Sequence, residues 1–220
     1  MKSLIINKFC TMETDRKWVI VRIDGKIAAV STDYRMLASV SAALAQGKKP
    51  KPDIRNATVY GEISAVAASF EEVWKLRQEA KWEDFMLFGT DFRRKVWRKL
   101  WELTHNEDTD NAGPAVQGTE GLICYSDFAE LCQNRAGVRA VAHAIGLNPL
   151  AVVIPCHLVI PKESIDKIRN IHEKAEATIF KGDDLCINSI LSDSSIDFGE
   201  YSLGRELKRK LILKELTERQ

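Results

Sequence analysis

The sequence predicts an α+β protein with a small α/β domain over residues 1–84 and a second domain over residues 85–220. Three observations carry this. The first is a hairpin signal: Trp18-Val19-Ile20-Val21-Arg22-Ile23 and Lys26-Ile27-Ala28-Ala29-Val30 flank Asp24-Gly25, a pair suited to the positive φ of a tight turn. The second is a set of apolar residues recurring at helical spacing. The third is a composition shift near Gly89, after which the chain becomes basic and amphipathic.

In the first domain, a helix is expected from Asp33 to Gln46, a loop over Gly47-Lys48-Lys49-Pro50-Lys51-Pro52, and a helix from about Phe70 to Ala80. None of these stretches carries a chemical signature, and Cys10 and Cys124 read as bystanders. In the second domain, Phe92, Val96, Leu100 and Leu103 repeat at helical spacing, and Arg93, Arg94, Lys95, Arg98 and Lys99 occupy the other face. Such a face is either solvated or a binding surface. Thr104 to Gly121 reads as a loop. Ser126 is the expected N-cap of a short helix ending near Gln133, Asn134-Arg135-Ala136-Gly137 the turn, and Val138 to Ile145 a second helix stopped by Gly146 and Asn148-Pro149.

This helix pair suggests a helix-turn-helix, although most short helix pairs are only packing units. Val138, Val141 and Ile145 form its inward face. Ala136, Ala140 and Ala144 make a stripe of small side chains beside Arg139, and His143 reads as a surface residue. Small side chains offer bases little hydrogen bonding but permit close approach to a duplex. Leu203 to Leu216 reads as a basic amphipathic helix with Leu203, Leu207, Leu211, Ile212 and Leu216 on its apolar arc. Lys208 and Glu215 fall inside that arc. They either snorkel to water or are buried partners of other polar groups.

A net charge of +1 gives no global pull toward nucleic acid or membrane, so any such binding needs a local patch. Five cysteines without framework spacing argue against a disulfide scaffold, and no CxxC or HxxxH pair supports a zinc site. No signal-peptide core or membrane-length apolar stretch is present, so the expectation is a reduced, intracellular protein.

The chemistry concentrates at Pro155-Cys156-His157, between the apolar runs Leu150-Ala151-Val152-Val153-Ile154 and Leu158-Val159-Ile160, a segment that reads as core strand. A buried cysteine is ordinarily an inert small hydrophobe. An imidazole next to the thiol points instead to an activated nucleophile, because the thiolate is the reactive form.

Together these residues resemble the O6-alkylguanine-DNA alkyltransferases (methylated-DNA–protein-cysteine methyltransferases). The stretch Phe88-Gly89-Thr90-Asp91-Phe92-Arg93-Arg94-Lys95-Val96-Trp97 resembles the opening of their DNA-binding domain. Tyr125-Ser126-Asp127-Phe128-Ala129 is similar to their first helix, and Arg139-Ala140-Val141 with Asn148-Pro149 to their recognition helix and hinge. Ile154-Pro155-Cys156-His157-Leu158-Val159-Ile160 resembles their active-site motif. Tyr201-Ser202-Leu203-Gly204 and the helix through Glu215 are similar to their closing segment. The resemblance runs from about Phe85 to the end, apart from an insertion over about 161–199.

The resemblance implies an RNase H-like N-terminal domain, a winged helix-turn-helix-like catalytic domain, and irreversible, single-turnover transfer of an alkyl group from guanine O6 to Cys156. It implies that His157 takes the thiol proton through a water, that Glu215 orients the imidazole, and that Lys208 adds positive charge nearby. Tyr125 would donate a proton toward the guanine ring. Val159, Tyr201, Ser202, Asn148 and Lys208 would line the substrate site. Arg139, Ala136, Ala140 and Tyr125 would meet DNA through the minor groove, with Arg139 filling the gap left by an extruded base. Arg139 read by itself is an ordinary phosphate contact. The implied partner is double-stranded DNA containing O6-alkylguanine, bound by a monomer without cofactor, metal or membrane, in a bacterial cytosol or a eukaryotic nucleus.

Two residues depart from the family pattern: Leu158 stands where arginine is usual, and Leu203 where glycine is usual. The insertion replaces a short link. Its stretch from Ser164 to Phe180 reads as a helix and Asp183 to Asp197 as polar chain containing Cys186. The whole is a disordered excursion, a lid or a contact surface, the first being favoured. Competing readings are a non-catalytic lesion binder, a Cys156–His157 hydrolase and a methyl-responsive transcription factor. The first lacks the acceptor cysteine that this chain keeps. The second is disfavoured because neighbours on a strand face opposite ways. The third lacks a cysteine-rich metal module.

Overall fold

The structure, a computed structural model, describes residues 17–32, 63–105, 121–176, 189–190 and 193–218. The helix expected over 33–46, the loop over 47–52, most of the loop over 104–121, Cys10 and Cys186 lie outside the described residues. The chain divides into two compact units, one holding residues 11–104 and 143–156, the other residues 105–142 and 157–220 together with residues 1–10. The helix-rich chain with two small sheets is α+β, as expected. Residues 143–156 group with residues 11–104, and the Val30 backbone bonds to Pro149 and Ala151.

In the first unit, β1 (Trp18–Ile23), β2 (Lys26–Ser31) and β3 (Ile63–Ala68) form an antiparallel sheet in the order β2-β1-β3. Asp24 and Gly25 turn the β1–β2 hairpin at φ 49° and 78°, as their pairing predicts. α1 (Phe70–Glu79) begins at a reciprocal cap, in which the Ser69 amide donates to Glu72 at 2.7 Å and the Glu72 amide to the Ser69 hydroxyl at 3.1 Å. Its buried face sets Phe70 against Trp18 and Trp74.

α2 (Asp91–His105) buries Val96, Trp97, Leu100 and Trp101. Phe92 and Leu103 are only half-buried, so the apolar face is rotated toward the two tryptophans. A Cβ at Gly89 would lie 2.8 Å from the Trp97 ring, so only glycine lets the backbone pass there. The Trp97 indole N–H donates to the Ala144 carbonyl at 2.8 Å. β2 has further partners beyond the sheet. The Met86 amide donates to the Ile27 carbonyl, the Val30 amide to the Pro149 carbonyl at 2.9 Å, and the Ala151 amide to the Val30 carbonyl at 3.0 Å.

In the second unit, the short strands β4 (Ile123–Cys124) and β5 (Val159–Ile160) run parallel. α3 (Tyr125–Leu131) follows β4 without a break, so its N-cap is Cys124 and not Ser126. The Ser126 hydroxyl is taken up 3.0 Å from the Cys124 sulfur. A 3-10 turn over Arg135–Gly137 leads into α4 (Val138–Gly146). Val141 and Ile145 are buried and Val138 half-buried. The unit boundary falls within α4 and again at the Cys156–His157 bond.

α5 (Lys162–Glu176) occupies the start of the insertion. The favoured disordered excursion is therefore corrected for this part: Ser164, Ile165 and Ile168 are buried along one helix face. α6 (Arg205–Glu218) ends the described chain and buries Leu207, Leu211, Ile212 and Leu216, with Lys208 and Glu215 among them. Leu203 is buried but precedes the helix, separated from it by Gly204 at φ 101°.

Candidate active site

The apolar run before Cys156 is not a strand. Beyond Leu150, which bridges to Val30, the chain turns repeatedly, and Cys156, His157 and Leu158 form a single 3-10 turn before β5. The reason lies in Asn148, which is 3% exposed. Its amide nitrogen donates to the Ile154 carbonyl at 2.9 Å, the Leu150 carbonyl at 3.3 Å and the Cys156 sulfur at 3.1 Å, and its oxygen accepts from the Leu150 amide at 3.0 Å. One side chain thus supplies the bonds that a neighbouring strand would otherwise supply, and a buried backbone group left without them is costly. Within the turn, Val152 is fully buried at φ 71°. A left-handed β-branched residue costs roughly 1–2 kcal/mol, and burying a valine returns about 1.5–3 kcal/mol. Burial therefore wins, and the strained residue stays.

Cys156 is 6% exposed and is not part of a disulfide. Its sulfur is addressed by the Asn148 amide, so Asn148 positions the nucleophile and is more than a hinge. The expectation that Cys156 and His157 face opposite ways on a strand is also corrected, because a 3-10 turn places successive side chains about a third of a turn apart.

His157 is fully buried and its Nε2 lies 2.8 Å from Glu215 Oε1. An ionised carboxylate can only accept, so Nε2 carries the hydrogen and Nδ1 is the basic nitrogen of the ring. The pair is made across 58 residues of sequence. Glu215 is 5% exposed, so the expectation of a buried partner on the apolar arc of α6 holds and snorkelling is excluded. Lys208, seven residues earlier, lies on the same face of α6. It is 1% exposed and donates to the Val159 carbonyl at 2.7 Å and the Glu200 carbonyl at 3.3 Å. Its ammonium stands 5.9 Å from the centre of the Tyr125 ring. The Val159 carbonyl, expected to face substrate, thus already accepts from Lys208.

The remaining residues spread outward. Tyr201 is half-buried and Ser202 exposed. Arg139, Ala136, Ala140 and His143 are exposed, but Ala144 is buried, its carbonyl taken by Trp97. The small-residue stripe is therefore shorter than its spacing suggests. On α2 the cations are largely used within the helix: Arg94 pairs with Asp91, and Arg98 and Lys99 with Glu102 at 2.9 and 2.7 Å. Burial pushes the Glu102 carboxyl up, but Lys99 and Arg98 bring it below its ordinary value. Arg98 also stacks on Trp82. No group of His, Cys, Asp and Glu able to hold a metal occurs among the described residues.

The site consists of a buried cysteine followed directly in sequence by a histidine that pairs with a buried carboxylate. Residues 120–177 match the family described as 6-O-methylguanine DNA methyltransferase, DNA binding domain. The matched segment holds Tyr125, Arg139, Asn148, Cys156 and His157, and the likeness to that family covers residues 120–177 alone.

The "Probable methylated-DNA--protein-cysteine methyltransferase" of Acanthamoeba polyphaga mimivirus is 38% identical over 81 residues, 37% of this chain and 45% of that protein. The methylated-DNA–protein-cysteine methyltransferase of Saccharomyces cerevisiae is 34% identical over 74 residues, 34% of this chain and 32% of that protein. The matched segment spans less than half the length of either relative. The crystal structure of O6-methylguanine-DNA methyltransferase from Pyrococcus kodakaraensis strain KOD1 aligns over 91% of this chain and 93% of its own, at 22% identity and a TM-score of 0.46.

Proposed function

We propose that this chain repairs DNA by taking the alkyl group of O6-alkylguanine onto Cys156, irreversibly and once per molecule. The observation that carries the reading is the buried His157–Glu215 pair, 2.8 Å apart, immediately after a cysteine whose sulfur Asn148 addresses at 3.1 Å. Glu215 holds the Nε2 hydrogen, so Nδ1 accepts the thiol proton, relayed by a water, and the imidazolium formed is stabilised by the carboxylate.

The thiolate then attacks the alkyl carbon in line. The new S–C bond forms as the C–O6 bond breaks, and the electron pair goes to the guanine. Tyr125 supplies a proton to the ring, so guanine leaves in its neutral form. The step is a displacement with no change of oxidation state, and the balance needs no further reactant. The thioether product is stable to water, so the protein is consumed.

A guanine inside a duplex cannot reach a buried sulfur, so the nucleotide is extruded, at a cost of a few kcal/mol. The exposed Arg139 fills the vacated space, with Ala136 and Ala140 allowing close approach to the minor groove. Tyr201, Ser202 and the Val159 carbonyl line the base pocket. In this reading residues 85–220 carry DNA binding and catalysis, as a winged helix-turn-helix, and residues 1–84 form an RNase H-like companion. The partner is double-stranded DNA bearing the lesion. The protein works as a monomer, in the cytosol of a bacterium or the nucleus of a eukaryote. No helix among the described residues is long and apolar enough to cross a membrane.

The test follows methyl loss from a duplex containing one O6-methylguanine. The expected result is one methyl lost per protein, none with Cys156→Ala although binding persists, and a larger slowing by Arg139→Ala on duplex than on free base. Tight binding by the unaltered protein without methyl loss would instead identify a lesion binder.

A further inference from the structure

The insertion is tied to the loop that precedes α6. α5 leaves β5 at Pro161, and one face carries Ser164 and Lys167, three residues apart and therefore neighbours on the helix surface. Ser164, 2% exposed, donates its hydroxyl to the Asp197 carbonyl at 2.5 Å. Lys167 donates to the Ser195 carbonyl at 2.6 Å and to its hydroxyl oxygen at 3.2 Å. Gly199 has φ 79°, and a Cβ there would stand 3.2 Å from the Pro161 ring, so the loop presses against the root of α5 where only glycine is free of strain. Its amide donates to the Asp197 carboxylate at 2.9 Å. Ile196 and Phe198 point into the core between these ties.

The loop from residue 195 to residue 200 is thus held at nearly every position, and its main anchors sit on a helix that begins at Lys162. Beyond it, Tyr201, Ser202 and Leu203 follow with no regular element before α6. A shift at Asp197 therefore reaches Ser202 through only a few residues of backbone. Leu203, buried at the end of the same stretch, adds bulk that the loop must place.

We propose that α5 is a strut for the loop leading to Ser202, with Ser164 and Lys167 as positioning residues that set which alkyl groups the site accepts. The inference rests on the alkyl-transfer reading above and deepens it. A loop fixed at Asp197 keeps the pocket narrow and favours methyl. A loosened loop admits larger groups.

The test compares the full chain with Ser164→Ala, Lys167→Met, both together, and Lys167→Arg, which keeps a donor at the same place. Hydrogen exchange is followed over residues 195–204 and over residues 148–156 as an internal control. Transfer rates are measured from duplexes carrying O6-benzylguanine or O6-methylguanine. The double variant is expected to exchange about tenfold faster over residues 195–204 only. Its benzyl-to-methyl rate ratio should rise at least about threefold, and Lys167→Arg should behave as the unaltered protein.

Unchanged exchange over residues 195–204 overturns the strut. A constant rate ratio, with both rates falling alongside the melting temperature, overturns its role in selectivity. If the unaltered protein transfers neither group, the alkyl-transfer reading fails, and with it the selectivity role, while hydrogen exchange still decides whether α5 holds the loop.

Discussion

The turn from Asn148 to Cys156 and the return loop from Asp193 to Gly204 are held by different means. The turn is buried almost throughout, bridged to β2 by two backbone hydrogen bonds and organised by one asparagine that makes four more. The loop is tied by side chains of α5 and α6: Ser164 and Lys208 are buried, whereas Lys167 and Arg205 make their bonds to it at the surface. Buried polar bonds are costly to break because the groups left behind find no water. Exposed ones exchange readily with solvent. In the proposed reading the difference suits two tasks. A nucleophile must be held within a fraction of an ångström of its line of attack. A segment that meets a substrate must admit it.

Four substitutions or conditions sharpen that contrast, beginning with the largest effect. Asn148→Ala strands the Leu150 amide at a buried site, which costs about 1–3 kcal/mol, and leaves the Ile154 carbonyl with the Cys156 amide as its donor. Urea unfolding should show a loss of about that size or more, and single-turnover transfer should slow by more than tenfold. If both are unaltered, Asn148 does not organise the turn.

Glu215→Gln keeps the shape of the side chain but removes the charge facing His157. Transfer should slow by about 10²-fold or more, the scale of a lost base or its orienter. Removing one partner of a buried pair also costs about 3–5 kcal/mol, an upper figure here because glutamine still accepts a hydrogen bond. An unchanged rate would mean that the histidine acts without the carboxylate.

Val152→Gly gives up the buried side chain, about 1.5–3 kcal/mol, and relieves about 1–2 kcal/mol of backbone strain. The net loss should be about 1 kcal/mol on thermal unfolding. A large gain in stability would mean that the strain outweighs burial.

The smallest effect lies far from the sulfur. The Ser69 amide and hydroxyl bonds hold the Glu72 carboxyl below its ordinary value. A lowered value means that the cap contributes fully at neutral pH and is lost as pH falls through the carboxylate range. Protection at the first turn of α1, measured against the intrinsic exchange rate at each pH, should therefore fall in acid, while the Asn148 turn stays protected. A pH-independent first turn would contradict this.

Much of this was legible in the chain, for physical reasons that differ from residue to residue. Asp24-Gly25 announces its hairpin because few pairs tolerate that turn. Lys208 and Glu215 stand out on α6 because helical periodicity places charges where the arc demands apolar groups, and the structure buries both. The segment from Leu150 to Ile154 misled because a β-branched apolar run reads the same as a strand or as a buried turn. Only the distant side chain of Asn148 decides between them. Ser126 looked like a cap from its type alone, but the strand it follows runs on to Cys124 and takes the position.

Trp97 and Trp101 do not announce themselves as the buried face of α2, because their partners, Ala144 and Phe85, lie elsewhere in the sequence. The roles of Ser164 and Lys167 left no signal at all. Their acceptors are backbone carbonyls some thirty residues away, and a carbonyl has no sequence identity.

The most direct measurement places isotope-labelled methyl on guanine O6 in a duplex and locates the label in the protein afterwards. The peptide from Ala140 to Lys162 contains Cys156 as its only cysteine. The label should plateau at one methyl per protein on that peptide, as a thioether, and vanish with Cys156→Ala. Label on any other residue, or DNA demethylated in excess of the protein present, would contradict the account.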